Sequence, residues 1–204
     1  MSGHINLDSN AGNLLYEYSK RDDVNIIFEI GTWNGLGTTN CIYEAIKGTN
    51  KKLITCETNL EMYEIAKSNL KDRSEITLYK GKVTNEMVDV DDFDDSFHQK
   101  YSKEEKSKWR IKDFEDVQQS ECIFSKIPEK IDLLVLDGGE FSSYHEYLLL
   151  KSRSKYIFLD DTVAPSIKNH KSRLDMIKNH TTIVDCTNER YGYYLGKIWY
   201  KIWK

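Results

Sequence analysis

The sequence predicts an α/β fold, in which a mostly parallel β-sheet is covered by helices on both faces. Short apolar runs of strand length recur along the chain, and amphipathic segments with helical periodicity separate most of them. Strands that alternate with helices are joined by right-handed crossovers, which make the strands parallel and place the helices on the sheet. With 204 residues, 39% of them hydrophobic, we expect a single domain over residues 1–204.

Seven segments have the composition of buried strands. Each is a short run of apolar or β-branched residues bounded by charged or polar ones. In chain order they are NIIFEI, KLITCE, EITLYK, IDLLVLD, KYIFLDD, TTIVDC and YGYYLGKIWY. No helical segment joins the last two, so we expect them to pair antiparallel through a turn at residues 188–192.

Helical periodicity predicts five helices around these strands. They cover residues 11–19, 36–47, 60–70, 144–151 and 167–178. The first precedes the first strand, and we expect it to pack outside that strand. The other four follow strands, as a parallel sheet requires.

A long polar segment interrupts this alternation between the third and fourth predicted strands. Residues 84–120 have an acidic half followed by a basic half. Connections of this length are usually functional covers or disordered segments. We interpret the segment as an insertion, partly helical around Trp109 and Phe114, that acts as a lid over the substrate.

Charge and composition exclude several classes of protein. A net charge of -4, from 29 basic and 33 acidic residues, provides no broad basic field for nucleic acid. No apolar run approaches the ~20 residues that span a bilayer, and the polar start lacks the apolar core of a secretory signal. Four scattered cysteines without a C-x-x-C pair indicate reduced thiols. We therefore expect a cytoplasmic protein without membrane insertion and without a nucleic-acid partner.

The stretch IFEIGTWNGLGTT, residues 27–39, predicts a ligand-binding loop. It contains the end of the first strand, a tight turn and the start of a helix, and ligands of open α/β sheets bind at the carboxyl ends of the strands. Its glycines are spaced G-x-x-x-G-x-G, and Trp33 stands where the dinucleotide fingerprint G-x-G-x-x-G needs its second glycine. A nicotinamide dinucleotide is therefore not the predicted ligand.

Two glutamates indicate which ligand the loop holds instead. Glu29 precedes the loop and can meet an ammonium group, directly or through water. Glu57 ends the second predicted strand, where its carboxylate can accept both hydrogen bonds of a ribose diol. S-adenosylmethionine has an amino-acid end and a nucleoside end without phosphate, so we predict it as the cofactor. The alternative is a plain glycine turn in which Glu29 caps a helix.

Several motifs resemble those of class I S-adenosylmethionine-dependent methyltransferases. They are FEIGTWNGLGTTNCI, CETNLEMYEIAKSNL, LLVLDGGEFSSYHEYLLL and YIFLDDT, and the resemblance covers most of residues 10–204 apart from the insertion. The combination of EIGTWNGLG, DGGEF and LDDT also resembles a narrower group. This group consists of methyltransferase-like domains associated with glycosyltransferases and glycan synthesis, including some from large viruses of algae.

The resemblance implies a fold, a site and an acceptor. The fold would be Rossmann-like, with a seven-stranded sheet in the order 3-2-1-4-5-7-6 and the last-added strand antiparallel. The acceptor would be a sugar hydroxyl of a glycan or glycoconjugate, and the chain would belong to a larger glycan-synthesis polypeptide, in the host cytoplasm if it is viral. Glu57 would bind the ribose. The methionine part would be surrounded by Glu29, Gly31, Thr32, Trp33, Asn34 and Gly35.

Three aspartates are candidates for a metal site. Asp137 ends the fourth predicted strand, and Asp160 and Asp161 end the fifth. Converging carboxylates repel one another unless a cation compensates, and a hard divalent ion with oxygen ligands can do so and polarise a hydroxyl. Metal-dependent sugar and small-molecule O-methyltransferases carry acids at similar places, so we predict Mg²⁺ or Mn²⁺ here. Alternatively, Asp137 contacts the cofactor amine and Asp160 or Asp161 caps the next helix.

Methyl transfer to a hydroxyl also needs a group that removes the proton. We predict Glu140, on the loop after Asp137, as this base, with His145 as its rival. Lys168 resembles a lysine that follows the D-D-T pair in the narrower group, and it can orient a substrate oxygen. Arg190, at the turn between the last two strands, can reach the site.

We therefore predict a sugar O-methyltransferase that acts with a divalent metal. The alternatives are a small-molecule O-methyltransferase of the catechol type and an inactive module that binds S-adenosylmethionine.

Overall fold

The computed structural model describes residues 5–92, 101–163 and 168–199. Within these ranges, helices and strands alternate as the sequence predicts. The helices are α1 Asn10–Lys20, α2 Thr38–Ile46, α3 Leu60–Leu70, α4 Lys103–Gln118, α5 Ser143–Leu150 and α6 His170–Asn179. The strands are β1 Ile26–Ile30, β2 Lys52–Glu57, β3 Ile76–Lys82, β4 Glu121–Cys122, β5 Ile131–Leu136, β6 Ser154–Asp160, β7 Thr181–Cys186 and β8 Tyr193–Lys197.

The described strands form one sheet in the order β4-β3-β2-β1-β5-β6-β8-β7. Strand β8 is antiparallel to both of its neighbours, and the other pairs are parallel. The α/β class and the antiparallel pairing of the last two strands are confirmed. The prediction of seven strands is wrong, because β4 adds a two-residue strand parallel to the end of β3. Such a short strand is formed by the return of the chain from α4 and has no periodicity of its own.

Apolar side chains cover both faces of the sheet. Alternate residues of β1 point to opposite faces, so that Phe28 joins one buried cluster and Ile27 the other. Four consecutive residues, 133–136 of β5, are fully buried because helices cover both faces of this central strand. No helix of the described ranges is long and apolar enough to cross a membrane.

The long insertion contains helix α4. The helix begins with a capping box, in which the hydroxyl of Ser102 accepts a hydrogen bond from the backbone of Glu105 and the Glu105 carboxylate accepts one from the backbone of Ser102. The helix expected around Trp109 and Phe114 is therefore present, although both aromatic side chains are exposed. Residues 93–100 of the insertion lie outside the described ranges, as does residue 167 at the predicted start of the last helix.

The loop after β1 is packed tightly against the loop after β5. Gly31 has a φ of 97°, a backbone conformation that side chains disfavour. A Cβ atom at this residue would lie only 2.2 Å from the carbonyl oxygen of Asp137. Glycine therefore lets the ends of β1 and β5 approach each other, which brings the two predicted site loops together.

Candidate active site

A cavity of about 500 Å³ opens at the carboxyl edge of the sheet. This volume lies within the range typical of small-molecule sites, ~300–1,000 Å³. Its wall is built from the loops after β1, β2, β5 and β6 and from one side of α4. The cavity therefore lies at the edge where the sequence predicts the ligand.

Part of the predicted glycine loop lines this cavity. Gly31, Thr32 and Trp33 belong to the wall, and Trp33 is 43% exposed at a φ of 49°. Asn34 and Gly35 are not among the lining residues. The side chain of Asn34 is instead buried in the turn, where its Oδ1 accepts a hydrogen bond from the backbone N–H of Leu36 at 3.0 Å.

Glu57 lies on the cavity wall with its carboxylate held at both oxygens. Oε2 accepts a hydrogen bond from the backbone of Trp33 at 2.7 Å, and Oε1 accepts one from the backbone of Asn59 at 2.8 Å. Burial raises the pKa of Glu57 above its ordinary value. Each carboxylate oxygen has a further lone pair, so the fixed group can still accept hydrogen bonds from a ligand.

Glu29 does not reach the cavity. It is fully buried on the face of β1 that α2 covers, and its Oε2 accepts hydrogen bonds from Thr39 and Thr55, each at 2.7 Å. Its Oε1 has no hydrogen-bond partner among the described residues. Burial raises the pKa of Glu29 to about 8. The structure therefore places this glutamate behind the wall, because strand alternation points it into the layer between β1 and α2.

The three predicted aspartates do converge, and a lysine lies among them. The Nζ atom of Lys168 is 2.8 Å from Oδ1 of Asp137 and 3.1 Å from Oδ2 of Asp161. Burial lowers the pKa of Lys168, but Asp137, Asp161 and Asp160 outweigh that effect and raise it well above its ordinary value. Nη2 of Arg190 lies 3.3 Å from Oδ2 of Asp160.

This arrangement does not fit the predicted metal ion. Among the described residues, no group of three or more His, Cys, Asp or Glu side chains is arranged to hold one. The carboxylates of Asp137 and Asp161 instead bind the Lys168 ammonium, and the second oxygen of Asp137 accepts a hydrogen bond from the Thr38 hydroxyl at 2.7 Å. Lys168 and Arg190 thus compensate the negative charge of the aspartates, the role that the sequence analysis assigned to a metal.

The two predicted bases are not among the residues that line the cavity. Nδ1 of His145 lies 3.0 Å from the Glu86 carboxylate, on the outer side of α5. Glu140 interacts electrostatically with Lys106 of α4, and its backbone donates a hydrogen bond to Asp113. The loop after β5 is thus attached to α4 through Glu140.

Glu146 is a wall residue that the sequence analysis missed. It is 4% exposed, and its Oε2 has no hydrogen-bond partner among the described residues. Burial raises its pKa to about 7, partly offset by a hydrogen bond from Ser142 and by Lys168. The sequence contains no clear signal for it, because the apolar residues 147–150 of α5 are consecutive and do not mark the face that Glu146 shares with Tyr147 and Leu150.

Helix α4 contributes two further acids that the sequence analysis did not assign to the site. Asp113 and Asp116 both line the cavity. Burial, followed by the charge of Asp116, raises the pKa of Asp113 to about 6. Oδ2 of Asp116 accepts a hydrogen bond from the side-chain amide of Asn59 at 2.9 Å, which connects α4 to the loop after β2.

No protein-family model and no curated protein sequence matches this chain. Solved structures do match. An O-methyltransferase from Bacillus cereus in complex with S-adenosylhomocysteine is 12% identical, with 96% of this chain and 84% of that chain covered at a TM-score of 0.61. A Podospora anserina methyltransferase bound to S-adenosylhomocysteine is 12% identical, with 93% and 78% covered at a TM-score of 0.58.

A third similar structure is the O-methyltransferase from Streptomyces achromogenes involved in tomaymycin synthesis, in complex with S-adenosylmethionine. It is 13% identical, with 92% of this chain and 78% of that chain covered at a TM-score of 0.55. At these identities the similarity establishes the fold. The chain therefore has the α/β Rossmann-like methyltransferase fold.

Proposed function

We propose that the protein is an S-adenosylmethionine-dependent O-methyltransferase that methylates a sugar hydroxyl of a glycan or glycoconjugate. The observation that carries this proposal is the placement of Glu57 and the loop after β1 on one cavity wall. Similar structures that hold S-adenosylhomocysteine or S-adenosylmethionine support it.

The residues of the wall fit such a cofactor. Glu57 is fixed by two backbone hydrogen bonds and retains lone pairs for a ribose diol. Gly31 and Thr32 line the cavity at the end of β1, where the amino-acid end would bind. When bound, S-adenosylmethionine supplies a methyl carbon whose bond to sulfur breaks, leaving its electron pair on sulfur, as the bond to the acceptor oxygen forms.

The acceptor hydroxyl must lose its proton, and we assign this step to Glu146. Its Oε2 has no hydrogen-bond partner among the described residues, and its pKa of about 7 lies where a general base is most effective at neutral pH. Asp137 is already bound by Lys168 and Thr38, so it positions these groups. Glu140 and His145, the bases predicted from the sequence, stay outside this assignment.

Helix α4 acts as the cover of the site in this proposal. It contributes Lys112, Asp113, Asp116 and Val117 to the cavity wall. A helix in this place excludes water from the reacting groups, which strengthens electrostatic interactions inside the site.

The sugar acceptor rests on the resemblance of the EIGTWNGLG, DGGEF and LDDT motifs to glycan-associated methyltransferase domains. The charged wall near Lys168 and Arg190 supports it, since a sugar offers many hydroxyl groups for hydrogen bonds. A catechol-type acceptor is the second candidate, favoured by the similarity to the O-methyltransferase involved in tomaymycin synthesis. We expect the protein to work in the cytoplasm.

Two measurements test the proposal. S-adenosylhomocysteine should raise the melting temperature, because a ligand that binds only the folded state stabilises it. Labelled S-adenosylmethionine should transfer its methyl group to members of a panel of free sugars, oligosaccharides and catechols. Label on catechols alone would replace the sugar acceptor by the second candidate. Binding of NAD without any response to S-adenosylhomocysteine would refute the cofactor assignment.

A further inference from the structure

The ammonium group of Lys168 stands where the sequence predicts a divalent metal ion. Its Nζ atom is within 3.1 Å of carboxylate oxygens from Asp137 and Asp161, and Asp160 is close enough to interact with it electrostatically. Lys168 is only 7% exposed, yet it lines the cavity. A buried cation with several anionic neighbours is held in one position, as a bound metal ion would be.

We propose that Lys168 takes the place of a divalent metal ion, compensating the charge of Asp137 and Asp161 and donating a hydrogen bond to the acceptor oxygen, so that methyl transfer needs no metal. The contact with the acceptor rests on the proposed function. The occupation of the aspartate cluster by Lys168 does not.

The Lys168 ammonium group occupies the space between Asp137 and Asp161. Mg²⁺ lies ~2.0–2.1 Å from its oxygen ligands. A metal bound to these oxygens of Asp137 and Asp161 from the side of the lysine would therefore overlap with the Lys168 Nζ atom, which is 2.8 Å and 3.1 Å from them. Only one of the two cations can occupy this position.

The aspartates have cationic partners from the chain itself. Lys168 lies within 3.1 Å of Asp137 and Asp161, and Arg190 lies 3.3 Å from Asp160, so each of the three aspartates has a cationic side chain beside it. Among the described residues, Nζ of Lys168 contacts two acceptors. An ammonium group has three N–H bonds, so the third is available to an oxygen in the cavity. The lysine can thus hold a hydroxyl in place, which is one of the roles of a catalytic metal.

The test is to replace Lys168 and to measure whether a metal ion then binds to the aspartates. The wild-type protein, Lys168→Ala and the control Lys178→Ala, an exposed lysine of α6, are titrated with MnCl₂ without S-adenosylmethionine. Calorimetry and thermal unfolding follow binding. We expect no saturable Mn²⁺ binding by the wild type or the control. Lys168→Ala should melt at a lower temperature without metal and gain a saturable rise with Mn²⁺ that a chelator reverses.

A double variant checks that the new metal is bound by the cluster. Lys168→Ala with Asp161→Asn should lose the response to Mn²⁺. If Lys168→Ala does not fold, it is replaced by Lys168→Gln, which keeps a hydrogen-bond donor without the charge. The titration of the wild type needs no variant. Saturable Mn²⁺ binding by the wild type that Asp160→Asn abolishes would overturn the proposal. So would a folded Lys168→Ala protein that ignores Mn²⁺.

The activity measurement separates this proposal from the proposed function. With an acceptor identified, wild-type methyl transfer should be unchanged in excess chelator. Loss of transfer in chelator and recovery with Mg²⁺ or Mn²⁺ would overturn the replacement of the metal by Lys168 and leave the methyltransferase assignment standing. Absence of any transfer would refute the proposed function while the Mn²⁺ titrations remain valid.

Discussion

Replacement of Glu29 by glutamine should change how stability depends on pH. The carboxyl group is fully buried, and its pKa is about 8 against an ordinary value of 4.5. Below pH 4.5 the folded and unfolded states both hold this proton. Between pH 4.5 and about 8 the unfolded chain releases the proton while the folded protein keeps it, so the free energy of unfolding falls as pH rises.

The size of this effect follows from the pKa. Each pKa unit corresponds to ~1.4 kcal/mol, so a rise from 4.5 to about 8 costs the folded state about 5 kcal/mol once the pH exceeds 8. Glu29→Gln cannot ionise and escapes this cost. In Glu29→Gln the side-chain amide nitrogen takes the position of Oε1, which has no hydrogen-bond partner among the described residues. The burial of its unpaired N–H groups costs ~1–3 kcal/mol, and this cost does not vary with pH.

Urea unfolding of both proteins at several values between pH 4.5 and 8.5 measures the difference. Relative to Glu29→Gln, the wild type should lose ~1.4 kcal/mol of stability for each pH unit in the middle of this range, between about pH 5.5 and 7, and less per unit near its ends. Glu64→Gln, at an exposed position of α3, serves as the matched control and should give a flat difference. A difference between wild type and Glu29→Gln that is equally flat would refute the burial of an un-ionised Glu29.

Three other substitutions test the site. In Glu57→Gln an NH₂ group replaces one of the two carboxylate oxygens that accept backbone hydrogen bonds. Calorimetry should show S-adenosylhomocysteine binding weakened by ~1.5–3 kcal/mol, and unchanged affinity would remove Glu57 from the site. Glu146→Gln should lower turnover ~10²- to 10⁴-fold with nearly unchanged S-adenosylhomocysteine affinity. The control Glu61→Gln, at an exposed position of α3, should leave turnover unchanged. A small loss of turnover in Glu146→Gln at saturating acceptor would contradict the role of Glu146 as the base. Ser102→Ala removes the capping box and should destabilise α4 by ~0.5–2 kcal/mol, which faster proteolysis within α4 would reveal.

Sequence periodicity was sufficient for most of the fold. Buried strands such as β5 need uninterrupted apolar runs, and that composition is visible without coordinates. The helix bounds shift only slightly, as at α2, which begins at Thr38 because the preceding residues belong to the loop. Strand β4 could not be predicted, since a strand of two residues depends on where α4 returns the chain to the sheet edge.

The candidate site was predictable wherever a strand end determined the position. Gly31, Glu57 and Asp137 follow or end parallel strands, and carboxyl ends of parallel strands share one edge. Glu29 lies within β1 rather than after it, so strand alternation directed its side chain to the layer beneath α2.

The sequence by itself determined the α/β fold, the edge where the cavity opens and the acids at the strand ends. These follow from local patterns, because periodicity and glycine spacing act over a few residues. Only the tertiary structure decided that Lys168 lies among the aspartates and that Glu146, rather than Glu140, reaches the wall. Both depend on where side chains from separate segments meet, and that is set by the packing of helices on the sheet rather than by spacing along the chain.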